Sequence, residues 1–330
     1  MGRRAGWLDA REHALGMPNS PTSEWILGLD IGGTTTSAVA GNASGQIFDL
    51  RTCPSRAEQG FTAMWEMMTA AADELVREHG RPSAVGVSIG GPVSTEQGIV
   101  HSPPNLPGWD DVPLKERLRE HFGVPVYVEH DARAGAVAEW LFGAARGCRN
   151  VVFLTFGTGL GAGLILDGRL YRGASGLAGE VGHWRMSRRG PSAYGKPGSW
   201  EAFCSGSGLP RLARHLYPGT SWPADMSAAT LVSLARSGDT QARHVIRTSA
   251  TWLGRGIAHL VDLLSPDIVV LGGLAVYAGD LFLPTARKVL ARECAGHNGD
   301  CPIEAAQLGV DIGNVAALCA ALYQEESVSR

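Results

Sequence analysis

The sequence contains no CxxC pair, no GxxxxGK[ST] phosphate loop and no long apolar run. Its six cysteines (Cys53, Cys148, Cys204, Cys294, Cys301 and Cys319) are scattered, which argues against a zinc ribbon or a dense disulfide frame and fits reduced thiols. No segment is long and apolar enough to span a bilayer, and no apolar stretch follows the Arg3-Arg4 pair as a secretory or twin-arginine leader would require. The expectation is a cytoplasmic protein without membrane contact, whose first 24 residues form an irregular extension. A dominant charge is missing too: 29 Lys and Arg against 32 Asp and Glu leave a net charge of -3, which gives no pull toward nucleic acid. What is present is 330 residues with a 44% hydrophobic share, enough for a large core and long enough to predict two lobes.

Trp25–Leu29, Ser37–Ala40 and Gln46–Leu50 read as a three-stranded meander, followed by a helix over Phe61–His79 and a buried strand, AVGVSIGG. Pro113–His121 reads as a short helix, VPVYVEH as a strand and Asp131–Ala145 as an Ala-rich helix. At NVVFLTFGTGLGAGLILDGRL the opening pattern of strand, Gly/Thr turn and strand returns. Helices are predicted over Ser199–Leu216, Asp239–Leu264, Leu281–Ala291 behind Pro284, and Asn314–Tyr323, with PDIVVLGG a buried strand. Between Gly173 and Gly206 the chain is irregular and dense in Glu, His, Trp and Gly.

Two readings fit the turn DIGGTTT, which begins at Asp30. Gly and Thr are ordinary turn and strand residues, but they also let backbone amides and hydroxyls cradle a phosphate. In the second copy Gly157, Gly159 and Ala162 match the dinucleotide pattern GxGxxA. That reading fails because the turn opens onto another strand, AGLILDGRL, rather than a helix. A bound nucleotide would therefore sit on hairpins.

DIGGTTT, PNLPGW, HDAR, FGTGLGAG, GLAGEVGH and VVLGG follow one another in an order that resembles the ROK family (repressor, open reading frame, kinase), from about Trp25 to about Tyr323. The resemblance implies an α/β protein with the actin-like, ribonuclease H-like ATPase fold: two similar lobes with a cleft between them. The first would comprise residues 25–130 with 311–330, the second 131–310. It also implies a homodimer and, in kinase members, transfer of the ATP γ-phosphate to a hexose hydroxyl, usually O6. Glucose or an amino- or acetamido-hexose is the expected acceptor, and a modified sugar such as 3-amino-3-deoxyglucose or N-acetylmannosamine is the alternative. A sugar-sensing regulator is the alternative of another class, although the two dozen residues before Trp25 are too few for a helix-turn-helix.

By the same resemblance Gly32, Gly33, Thr34 and Thr35 would face phosphates, and Asp30 would hold Mg²⁺ through water. Gly157, Thr158 and Gly159 would close on the phosphates from the other lobe, with Gly272 and Gly273 against adenosine. Asp131 matches the family's general base; it could also cap the helix that it opens. Gly91, Asn105, His130, Glu180, His183 and Glu201 match sugar-binding positions, whereas Trp109 and Trp200 are read as packing residues. The sequence departs from the family where three zinc-binding cysteines are common: Ser192, Tyr194 and Ser199 stand there. Neutral hydroxyls do not replace thiolates, so no structural zinc is expected and the loop must be held by packing and hydrogen bonds. His130 and Arg133 also depart, each replacing an asparagine.

Overall fold

A computed structural model describes residues 24–223 and 225–323; apart from Glu24, the predicted N-terminal extension lies outside the described residues. Ile26–Ile31 (β1) turns back through the glycines to pair antiparallel with Thr35–Gly41 (β2), and β2 pairs antiparallel with Ile47–Pro54 (β3). Ala84–Ile89 (β4) is buried along its whole length, as a strand covered on both faces must be, and joins β1 in parallel. Val126–His130 (β5) completes the order β3-β2-β1-β4-β5.

The second copy of the pattern folds the same way. Val151–Leu154 (β6), Ala162–Leu166 (β7) and Arg169–Leu170 (β8) form the meander, and Ile268–Leu271 (β9) and Ile303–Ala305 (β10) add in parallel, giving β8-β7-β6-β9-β10. The repeat in the sequence is thus a repeat of sheet topology. Two compact units result: one takes the described residues up to Ala134 together with those from Gly313 on, and the other is Gly135–Ile312.

Each unit has its own core. In the first, Met64, Met68 and Leu75 of Gly60–His79 (α1) and Leu114 and Leu118 of Leu114–Phe122 (α2) pack with Trp109, which is fully buried. Asp131–Phe142 (α3) follows β5 directly. In the second, Trp200 of Trp200–Cys204 (α4), Leu209 of Gly208–Leu216 (α5) and Leu231 of Ala228–Ser237 (α6) gather around Thr240–Leu264 (α7), with Phe156 edge-on to Phe282 of Leu274–Glu293 (α8). Both Trp109 and Trp200 are core residues, as their reading as packing side chains anticipated. Among the described residues no helix is long and apolar enough to cross a membrane.

Two helix expectations are corrected and one helix is added. The helix predicted over Ser199–Leu216 is two helices, because Gly206 and Ser207 give their N–H groups to the carbonyls of Gly157 and Thr158 instead of continuing the helix. Ser205 Oγ then accepts from Gly208 N at 2.9 Å and starts α5. The helix expected to begin at Leu281 starts at Leu274, bends at Ala278 and carries Pro284 inside it. Helix α6 was not anticipated; Ser227 caps it by accepting from Thr230 N at 3.1 Å.

The last helix, Ile312–Leu322 (α9), is nearly all small or apolar residues and lies on the first sheet where the sheet is bare. A Cβ on Gly86 of β4 would stand 2.1 Å from the Ala317 carbonyl oxygen, and one on Gly28 of β1 would stand 3.2 Å from Ala317 Cβ. Gly86→Ala forces helix and sheet apart and should cost about 1–3 kcal/mol or more, read as a lower denaturation midpoint in urea.

Candidate active site

The β1–β2 turn is tight because Gly32 N–H donates to the Thr35 carbonyl at 3.1 Å, leaving Gly33, Thr34 and Thr35 exposed at its tip. A clamp that sequence reasoning missed holds it: buried Ser55 donates its N–H to Thr34 O at 2.9 Å and its hydroxyl to Gly32 O at 2.5 Å. The turn also meets a second predicted loop. A Cβ on Gly33 would stand 2.8 Å from Asn105 O, so the phosphate turn and the PNLPGW loop are brought together.

Asp30 is the penultimate residue of β1, and a Cβ on Gly313 at the start of α9 would stand 2.2 Å from its Oδ2. The helix N-terminus thus faces the carboxylate, a favourable arrangement for an anion. Burial nevertheless pushes the pKa of Asp30 up to about 6, with the charge of Asp131 adding to the rise and a hydrogen bond with Ser88 opposing it. Two neighbouring carboxylates, one of them costly to ionise, are a donor set that fits a divalent cation.

Asp131 is the first residue of α3, half-exposed, with Oδ1 2.6 Å from Ala132 N. Its surroundings are fixed by a buried ion pair, Arg133 Nε to Glu129 Oε1 at 2.6 Å, and the same oxygen accepts His130 N–H at 2.9 Å. Arg133 is thus engaged by Glu129. His130 Nδ1 lies 3.3 Å from Ala132 N and 3.2 Å from Asp131 Oδ1, so the ring is held over the start of α3. The Cδ2–Nε2 edge lies against Gly91: a Cβ there would stand 2.6 Å from Cδ2. The loop after β4 and the junction of β5 with α3 thus bring Gly91, His130 and Asp131 together.

In the second unit the hairpin Gly157-Thr158-Gly159 is packed against Gly272-Gly273. Gly273 has φ +55°, and a Cβ on it would stand 2.3 Å from the Phe156 carbonyl oxygen. Two of the three glycines of GLAGEVGH are equally constrained, since a Cβ on Gly179 would meet Ala162 O at 2.0 Å and one on Gly182 would meet Leu160 O at 2.3 Å. Glu180 and His183 therefore ride on the outgoing side of the same hairpin, with Glu180 Oε2 3.9 Å from His183 Nε2. Buried Glu201 accepts Leu160 N–H at Oε2, at 3.0 Å, and also the Tyr194 hydroxyl.

At the positions where family members carry zinc-binding cysteines, the Ser192 side is exposed, Tyr194 bonds Glu201, and Ser199 is buried at the start of α4. This set of hydroxyls does not fit zinc. Among the described residues, the metal-like cluster of Asp49, Glu78 and His79 lies elsewhere and is crossed by ion pairs from Arg51. Glu139 was also missed: it is fully buried and accepts three amides, Ala144 N at 2.7 Å, Leu308 N at 2.9 Å and Gln307 N at 3.1 Å.

Two sheets of one topology, each with a glycine turn between its first two strands, define the actin-like ATPase fold. The ROK family model matches residues 26–324, and the chain belongs to the ROK family. It is 35% identical to a glucokinase of Streptomyces coelicolor over 306 residues, which cover 88% of this chain and 95% of that protein. A xylose repressor of Caldicellulosiruptor bescii is 34% identical over 215 residues, 62% of this chain and 54% of that protein. The crystal structure of a ROK family glucokinase from Streptomyces griseus in complex with glucose and AMPPNP aligns with a TM-score of 0.79 at 32% identity, covering 91% of this chain and 99% of that one.

The raised pKa of Asp30 has a thermodynamic sign. A carboxyl that holds its proton more tightly folded than unfolded favours folding below the unfolded value of 3.8, and that contribution is lost as pH rises through about 6. In metal-free buffer Asp30→Asn should therefore raise the melting temperature at pH 8 and leave it nearly unchanged at pH 4, as measured by scanning calorimetry.

Proposed function

We propose that the protein is an ATP-dependent hexose kinase that transfers the γ-phosphate to O6 of glucose or of a glucose-like amino- or acetamido-hexose. The observation that carries this reading is Asp131: a half-exposed carboxylate at a strand-to-helix junction, flanked by Gly91 and His130, in a chain with both glycine hairpins. Sugar binding alone needs hydroxyl-directed donors and acceptors; a base at the reacting hydroxyl is needed only for transfer. The glucokinase relatives support the same reading.

In this mechanism the backbone amides and hydroxyls of Gly32–Thr35 and Gly157–Gly159 hold the phosphates, and Gly272 and Gly273 lie against adenosine. Asn105, His130, Glu180, His183 and Glu201 bond the ring hydroxyls; with both donors of Glu201 on Oε2, Oε1 is the atom offered to sugar. Asp131 accepts the O6 proton as the hydroxyl attacks. Asp30 is the residue to hold Mg²⁺, through water, and the ion would neutralise charge on the transferring phosphoryl group. Positioning and electrostatics do most of the work, since phosphoryl transfer asks for little covalent chemistry from the protein.

An ATP-coupled assay over a panel of hexoses tests the proposal. Turnover of at least one hexose is the expected result; tight sugar binding without turnover would instead make the protein a sensor, in line with its repressor relative. Asp131→Asn should lower kcat by about 10²–10⁴-fold while sugar and ATP still bind by calorimetry, because the base is lost and the lining remains.

His130 sets the second expectation. Asn offers an amide donor and an acceptor at one reach; this imidazole presents its Cδ2–Nε2 edge beside Gly91, at a different reach. Comparing glucose, 3-amino-3-deoxyglucose, N-acetylmannosamine and N-acetylglucosamine, His130→Asn should change the rank order, with kcat/KM for individual sugars moving about tenfold. An unchanged order removes His130 from specificity.

A further inference from the structure

Ser192–Ala193 pairs with Lys196–Pro197 in a hairpin whose two central residues, Tyr194 and Gly195, have φ of 56° and 65°. A two-residue turn with both φ positive suits Asn-Gly, Asp-Gly or Gly-Gly, and a large aromatic at its first position is disfavoured. Tyr194 is nevertheless there, and its side chain does two things at once. Its ring stacks on the His183 imidazole, with centroids 3.8 Å apart and planes 17° from parallel, and its hydroxyl donates to Glu201 Oε2. The neighbouring Lys196 ties the same histidine down by donating from Nζ to the His183 carbonyl at 2.8 Å. A strained backbone position occupied by a side chain that bridges two site residues is better explained by that bridge than by the turn.

We propose that Tyr194 is a positioning residue for the hexose site: it fixes the ring plane of His183 and the carboxylate of Glu201, in a loop whose hydroxyl donors do not fit a zinc ion. The inference rests on the reading of His183 and Glu201 as sugar-binding residues. It explains why the loop keeps its shape with Ser192 and Ser199 flanking the turn, and why Glu201 faces the Gly159 hairpin, where Leu160 N–H shares Oε2 with the tyrosine. Tyr194 has no role as acid or base here. Its phenol is held protonated, since burial and the bond to Glu201 both push its pKa up.

Tyr194→Asn is the discriminating variant, because asparagine suits a positive φ and cannot reach either partner. Expected results are a melting temperature equal to or above that of the wild type, a hexose Kd by calorimetry and a hexose KM each raised about tenfold, and an ATP KM within twofold. Tyr194→Phe keeps the stack and loses the hydroxyl, so its hexose KM should lie between the two. Hexose binding by Tyr194→Asn within twofold of wild type would overturn the proposal, as would a fall in melting temperature with hexose and ATP KM rising together. Absence of hexose binding in the wild-type protein would instead overturn the sugar-kinase reading itself.

Discussion

Backbone approaching backbone more closely than any Cβ permits is the constraint on which the rest of this molecule depends. Helix α9 settles onto the first sheet over Gly28 and Gly86, which aims its first turn at Asp30. The GLAGEVGH segment settles onto the start of β7 through Gly179 and onto Leu160 just before it through Gly182, which fixes where Glu180 and His183 start. Gly273 lets the start of α8 touch the Gly157 hairpin. In each case a glycine accepts its conformational cost in exchange for placing a polar group beside a turn.

Those polar groups are mostly carboxylates, and they are held in different ways for different work. Glu139 is surrounded by three amide donors and Glu129 is paired with Arg133, so both are buried charges whose partners offset desolvation. Such carboxylates build loops. Asp131 meets the His130 ring at 3.2 Å rather than an arginine, and burial raises the pKa of Asp30. Leaving acids under-compensated costs stability and prepares a place for positive charge, the usual exchange at a site that handles phosphate.

The irregular region between Gly173 and Gly206 joins these themes. It has little regular structure of its own, yet Gly198 N–H and O, Trp200 N–H and the Arg185–Ser199 bridge stitch it to itself. The stacked pairs Trp184–Trp200 and His183–Tyr194 add aromatic packing on either side. Hydrogen bonds and stacked rings together hold this segment in shape.

The duplicated meander, the buried parallel strands, and the turns at Gly32 and Gly157 were legible because strand periodicity and glycine punctuation are local properties of the chain. Asp131 at a helix start was legible for the same reason. Ser55 and Glu139 were not, since they act on residues 23 and 169 positions away, at their bonds to Gly32 and Leu308, and nothing in the neighbourhood of either marks it. The break between α4 and α5 was hidden likewise, because amides that local propensity assigns to a helix are taken by carbonyls of the Gly157 hairpin. Tyr194 lies between these cases: its place in an irregular loop was evident, and neither the turn it makes nor the identity of its partners was. The sequence by itself determined the periodicities and the chemistry available; which donor meets which acceptor across the fold was decided only by tertiary packing, where distance in space is independent of distance along the chain.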